Sequence, residues 1–165
     1  MNPYDILDRA IAAMQKLESD PRVLRAEIVG SVRRGKPDVG DLDLLIVTNE
    51  PWSFYNGPLI GPRDRSRIAH VFVATPETYG ATLLFATGPR QLNQKFRTLA
   101  ARRGMIYDFR DHADQLSAKF SPFIALYRAD GQLVPTPSED SIFKLLDVPF
   151  VPPAYREWLA ERIEL

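Results

Sequence analysis

Between Pro3 and Glu18 the apolar residues Ile6, Ala10, Ala13, Met14 and Leu17 return every three or four positions, which predicts a helix with one buried face. Asn2-Pro3 and Asp5 supply an N-cap, a first-turn proline and an acidic first turn. Asp20-Pro21 ends the segment. The period then changes to two. Val23 to Val29 predicts a first strand. A second puts Asp41, Asp43, Leu45 and Val47 on one face, with Leu42, Leu44 and Ile46 on the other. Between them, Gly30 to Asp43 reads Gly-Ser-Val-Arg-Arg-Gly-Lys-Pro-Asp-Val-Gly-Asp-Leu-Asp, a glycine-rich turn between strands. The second strand is expected to open with Asp41 and Asp43.

Further along, Asn56-Gly57 is a hairpin signal set among Pro51, Pro58 and Pro62. Trp52, Phe54 and Tyr55 read as core or loop cover. Ile68 to Ala74 predicts a third strand, with Ile68, His70 and Phe72 on one face. Pro76 to Leu84 predicts a short helix, and Phe85-Ala86-Thr87-Gly88-Pro89 a break. From Arg90 to Arg103, Leu92, Phe96 and Leu99 form the stripe of another helix. Asn93 and Arg97 share a second face, and Gly104 is its stop. Arg90, Lys95, Arg102 and Arg103 make this the most basic element. Met105 to Tyr107 reads as a buried strand, and Phe123 to Val134 as two short strands around Asp130-Gly131. Thr136-Pro137-Ser138-Glu139 matches a capping box with proline at the first helical position. Pro149, Pro152 and Pro153 lead to a last helix from Ala154 to about Arg162.

The 165 residues suffice for one compact domain of two lobes. Apolar residues at 45% and charged ones at 25% exclude a disordered chain. Twenty-one basic residues balance 21 acidic ones, so a uniformly basic nucleic-acid binder is excluded while local basic patches are not. With no cysteine and two histidines, His70 and His112, thiolate chemistry and a histidine-rich zinc site are excluded. His112 reads as part of a solvated loop. The sequence has no apolar run long enough to span a membrane, and an intracellular, nucleoid-associated location is the expectation.

The candidate chemistry sits in the Gly30–Asp43 turn. It carries Ser31, Arg33, Arg34 and Lys36, and two carboxylates stand together just beyond. Backbone N–H groups and cations hold phosphates, and paired carboxylates hold Mg²⁺. The combination suits a metal-bound polyphosphate.

Gly30-Ser31, Arg34-Gly35 and Gly40-Asp41-Leu42-Asp43 together resemble the nucleotidyltransferase signature, in the form found in family X DNA polymerases of the polymerase beta class. Thr87-Gly88, Asn93, Arg97, Gly104, Ser138-Glu139, Ile142-Phe143 and Pro152 follow in that family's order. The resemblance implies an α+β fold. Residues 1–86 would form a nucleotidyltransferase palm, a mixed sheet with helices. Residues 87–165 would form a small α+β C-terminal subdomain that binds nucleotide and template. It starts near residue 5, leaving no room for the N-terminal lyase domain of larger members, so deoxyribose-phosphate lyase activity is not expected. It further implies that Ser31, Arg34 and Gly40 hold the β- and γ-phosphates of an incoming nucleotide, with Gly30 and Gly88 also in the nucleotide site. Phe85 would lie near the sugar and Asn93 at the base, with Arg97, Lys95 and Arg90 on the template or DNA side. Asp41 and Asp43 would bridge two Mg²⁺ ions. The implied partners are gapped or primer-template DNA and deoxynucleoside triphosphates, and the implied state is a monomer.

Two positions depart from the family pattern. Counting back without a gap from Gly88, the third catalytic carboxylate falls on His70. Imidazole suits Zn²⁺ or Mn²⁺ better than Mg²⁺, so reduced Mg²⁺-dependent activity with partial rescue by Mn²⁺ is expected. A role for His70 as the base toward the primer hydroxyl is the lesser option. Ala86 stands where a bulky group is usual, which would loosen sugar discrimination. Two other functions share parts of the pattern. One is a small-substrate or protein nucleotidyltransferase of the antitoxin-like kind. The other is a non-catalytic protein that holds DNA gaps or ends.

Overall fold

The structure, a computed structural model, describes residues 3–55, 68–108 and 124–165. Helix α1 (Pro3–Glu18) forms where its period predicts, burying Ile6, Ala10, Ala13 and Leu17 while Tyr4, Leu7 and Ile11 face out. Asp20 accepts hydrogen bonds from the backbone N–H and the guanidinium of Arg22. The side-chain bond and the backbone bond together hold its carboxyl down at about 2. This local turn feeds strand β1 (Val23–Val29).

β1 runs antiparallel to β2 (Leu42–Thr48), and β2 runs parallel to β3 (Ile68–Ala74), in the order β1-β2-β3. The sheet is therefore mixed. Its central strand is buried on both faces, as the run Leu44-Leu45-Ile46-Val47 requires. The alternation expected along β2 holds. Leu44 and Ile46 pack with Ala13, Leu17 and Phe54, the last from the one-turn helix α3 (Trp52–Tyr55), on the α1 side. Leu45 and Val47 join Val29 and Phe72 in the larger core on the other side.

That larger core is built on helix α4 (Tyr79–Thr87), eight of whose nine residues are buried, all but Phe85. The expected helix from Pro76 to Leu84 is thus shifted. Pro76 and Glu77 form a turn closed by Thr75 and Thr78, and the expected break at Phe85 to Thr87 is helical, ending at Gly88. Gly80 is required here, because a Cβ would lie 2.0 Å from the carbonyl oxygen of Ser138. Its N–H donates to Thr136 O at 2.6 Å.

Helix α5 (Arg90–Arg102) buries Leu92, Phe96 and Ala100. A second sheet follows, antiparallel, of β4 (Met105–Asp108), β5 (Ala125–Arg128) and β6 (Leu133–Val134). Tyr107 is fully buried with its hydroxyl donating to Ala81 O at 2.5 Å, but Ile106 is 51% exposed, so β4 is buried on one face only. Helix α6 (Glu139–Leu145) is capped by Ser138, whose hydroxyl accepts from Ser141 N. The expected cap at Thr136 is corrected: its hydroxyl accepts from Ala81 N at 3.1 Å and so serves α4. A 3₁₀ turn (Pro153–Tyr155) precedes helix α7 (Arg156–Arg162). Phe96 of α5 meets Phe143 of α6 edge to face at 5.2 Å between centroids. The architecture is α+β. No helix among the described residues is long and apolar enough to cross a membrane. The Asn56-Gly57 hairpin signal and His112 lie outside the described residues.

Candidate nucleotide and metal site

The Gly30 to Asp43 turn begins with one helical turn, α2 (Gly30–Arg33), rather than with irregular loop, and β2 starts at Leu42. Asp41 therefore stands one residue before the strand and Asp43 within it. Val29 pairs with Asp43 across the antiparallel edge. Gly30, at φ +66°, sits directly against that carboxylate, where a Cβ would be 2.3 Å from Asp43 Oδ2. Glycine is thus demanded twice, by backbone conformation and by contact.

On the parallel side Asp43 pairs with His70, and His70 Nδ1 lies 3.1 Å from Asp43 Oδ1. The His70 side chain is about half exposed and that of Asp43 about a quarter. His70 is the residue that strand register sets beside the acid.

Gly30, Asp41 and Asp43 open onto a cleft of about 760 Å³, within the usual range of ligand sites. Gly30, Ser31, Arg34, Gly40, Asp41 and Asp43, from the glycine-rich turn and the acid pair, form one end. Phe85 and Gly88, at the end of α4, form one wall with Ala86 and Thr87. Arg90, Asn93 and Arg97 line it from α5, and Gln94, which sequence reasoning did not single out, joins them. Their spacing of three and four along α5 is why they share this face. His70 and Lys95 are not among the lining residues. The Lys95 ammonium instead donates to Ile163 O at 2.8 Å, tethering α5 to the end of α7.

Asn93 is buried at 4% exposure. Its amide nitrogen donates to Phe85 O at 2.9 Å, and its Oδ1 has no partner. A buried orphan acceptor facing a cleft is a place for a ligand donor.

Two adjacent arginines diverge. Arg33 Nη1 donates to Thr87 Oγ1 and to Glu139 Oε2, both at 2.7 Å. The other oxygen of Glu139 takes the fully buried Arg156. Arg34 instead donates through Nε to Glu157 Oε1 at 2.8 Å and through Nη1 to Thr87 O. Lys36 reaches the same Glu157 oxygen at 3.1 Å. Desolvation pushes the Glu157 carboxyl up, but hydrogen bonds from Lys36 and Arg34, with the charge of Arg34, outweigh it and hold it below the ordinary value.

Residues 82–157 match the family model described as DNA polymerase beta thumb. A curated relative, DNA polymerase lambda of Rattus norvegicus, is 30% identical over 166 aligned positions, covering 78% of this chain. This is a polymerase-beta-like protein of family X. The chain spans 28% of the length of that relative. In the polymerase-beta-like chain the thumb match runs from α4 into α7, so it includes Phe85, Gly88, Asn93 and Arg97 but not Asp41 or Asp43.

The acid pair offers hard oxygen donors, which fit a divalent cation that keeps part of its water. Among the described residues no three His, Cys, Asp or Glu side chains cluster as a ready ligand set. The fit is therefore to two carboxylates completed by water and substrate oxygens.

Proposed function

We propose that this chain adds nucleotides to the 3′-hydroxyl of a DNA primer in short gaps, directed by a template strand and dependent on divalent metal. The observation that carries the reading is that an acid pair, a glycine-rich phosphate turn and the polar face of α5 line one cleft.

Asp41 and Asp43 would hold the ions, which would make the attacking hydroxyl more acidic and offset charge on the leaving pyrophosphate. The remaining work belongs to the chain. Ser31, the α2 and Gly40 backbone N–H groups and Arg34 fix the phosphates, so that the α-phosphorus meets the primer end in line. Phe85 and Ala86 border the sugar. Asn93 reads the base edge while its amide nitrogen stays anchored to Phe85 O. Arg90 and Arg97 face the DNA. The incoming species is a deoxynucleoside triphosphate.

His70 weakens the acid end by one negative charge relative to three carboxylates. Mg²⁺-supported turnover is then low and Mn²⁺ restores part of it. The test is extension of a one-nucleotide-gap substrate in each metal, with the wild-type chain and with His70→Asp. Faster Mg²⁺ extension by H70D is the expected result. Unchanged or slower extension counts against the carboxylate argument. Gap binding without extension in either metal, by either protein, would favour a DNA-holding role.

A further inference from the structure

The carboxylate of Glu157 occupies the cations that a phosphate chain would use. It stands in the first turn of α7, far along the sequence from the phosphate turn, and lies within hydrogen-bond distance of both Arg34 and Lys36. Arg34 lines the cleft. Its side chain is only 16% exposed and that of Lys36 43%, so the first is held in the cleft wall and the second, outside the lining, is the more open to water. Two cations on one carboxylate oxygen are near neighbours, and a carboxylate and a phosphate are both oxyanions that take charge-assisted bonds from the same donors.

We infer that Glu157 is an internal competitor for polyphosphate, filling the Arg34–Lys36 subsite until a phosphate chain displaces it. This rests on the reading of the cleft as a triphosphate site. The guanidinium of Arg34 is anchored separately by Thr87 O, so it stays in place when Glu157 leaves. Among the described residues Lys36 pairs only with Glu157, and its stem is flexible, so it follows the incoming anion. The apparent affinity for any anion is reduced by the fraction of time the subsite is free. An anion of high charge, such as a Mg²⁺-bound triphosphate, still binds at working concentration, whereas orthophosphate and pyrophosphate are held off. Return of Glu157 then assists departure of the pyrophosphate product. The held-down carboxyl of Glu157 means that the competitor remains ionised at neutral pH.

The test is calorimetric titration of the full chain with inorganic tripolyphosphate and with pyrophosphate, each with Mg²⁺, for the wild type, Glu157→Gln and Glu157→Asp. E157Q is expected to tighten both ligands by about 3- to 10-fold, the scale of a partly exposed ion pair removed from competition. E157D, whose shorter arm reaches Arg34 less well, should fall between. If the wild type binds and E157Q binds equally or more weakly at unchanged Tm, Glu157 merely supports Arg34; the inference is then overturned while the triphosphate reading stands. If none of the three binds tripolyphosphate, the triphosphate reading falls and takes the inference with it. Should E157Q fail to fold, E157D decides: tighter binding supports competition, and equal or weaker binding overturns it.

Discussion

Arg33 and Arg34 are neighbours in sequence, and each crosses to a glutamate in the C-terminal helices, yet the two bridges are different objects. The Arg33–Glu139–Arg156 bridge is interior. The side chains of Glu139 and Arg156 are 5% and 0% exposed. Arg156 also lies over the ring of Phe143, and its Nε donates to Val151 O. The Arg34–Glu157–Lys36 bridge meets the cleft through Arg34 and is in partial contact with water. Burial makes the first bridge intolerant of losing a member, since an uncompensated charge would remain inside. Water makes the second exchangeable. One joins α2 to α6 and α7, and the other borders the cleft through Arg34.

The largest effect should come from breaking the interior bridge. Glu139→Ala leaves two guanidinium groups short of their anion and should lower folding stability by about 3–5 kcal/mol. Chemical denaturation would measure this, and a loss under 1 kcal/mol would erase the distinction between the bridges. Next comes Arg34→Ala. It should weaken tripolyphosphate binding by about 10- to 100-fold, the worth of a hydrogen bond to a charged group, while stability moves little. Calorimetry and a thermal melt on the same sample separate the two. The smallest effect concerns acid. The carboxyl of Glu157 is held below its ordinary value of 4.5. Its stabilising contribution is therefore fully present above that pH and is lost as pH falls through the lowered value. Exposure limits it to about 1 kcal/mol at most. Wild type and Glu157→Gln should differ in the acid slope of stability below about pH 4.5 and run parallel above it. Parallel slopes throughout would remove the Glu157 bridge from the stability account.

The comparison also marks what a sequence reveals. Elements with one buried face were legible. α1 and α5 fall where the helical period predicts them, because one face of each is wet and the pattern records it, and β1 and β3 fall on their apolar runs. α4 was misplaced because it is enclosed on every side, so no polar stripe marks its ends. Thr136 looked like a helix cap by local spacing, but its hydroxyl is spent on α4, more than fifty residues earlier. The one-turn α2 is too short to carry a period. At the cleft, the residues suggested by the motif resemblance came together, apart from His70 beside it and Lys95 bound elsewhere. Glu157 and Glu139 were not suspected as partners of Arg34 and Arg33. Their contacts span over a hundred residues, and no local spacing encodes such a distance.

The notch at Gly30 has a practical corollary for anyone redesigning this cleft. Since Asp43 fills the space that any side chain at position 30 would need, those two positions constrain each other and leave little freedom to tune the acid from below. Position 70, across the sheet and half open to water, is where the neighbour of the acid can be changed with the least disturbance to the strand that carries it.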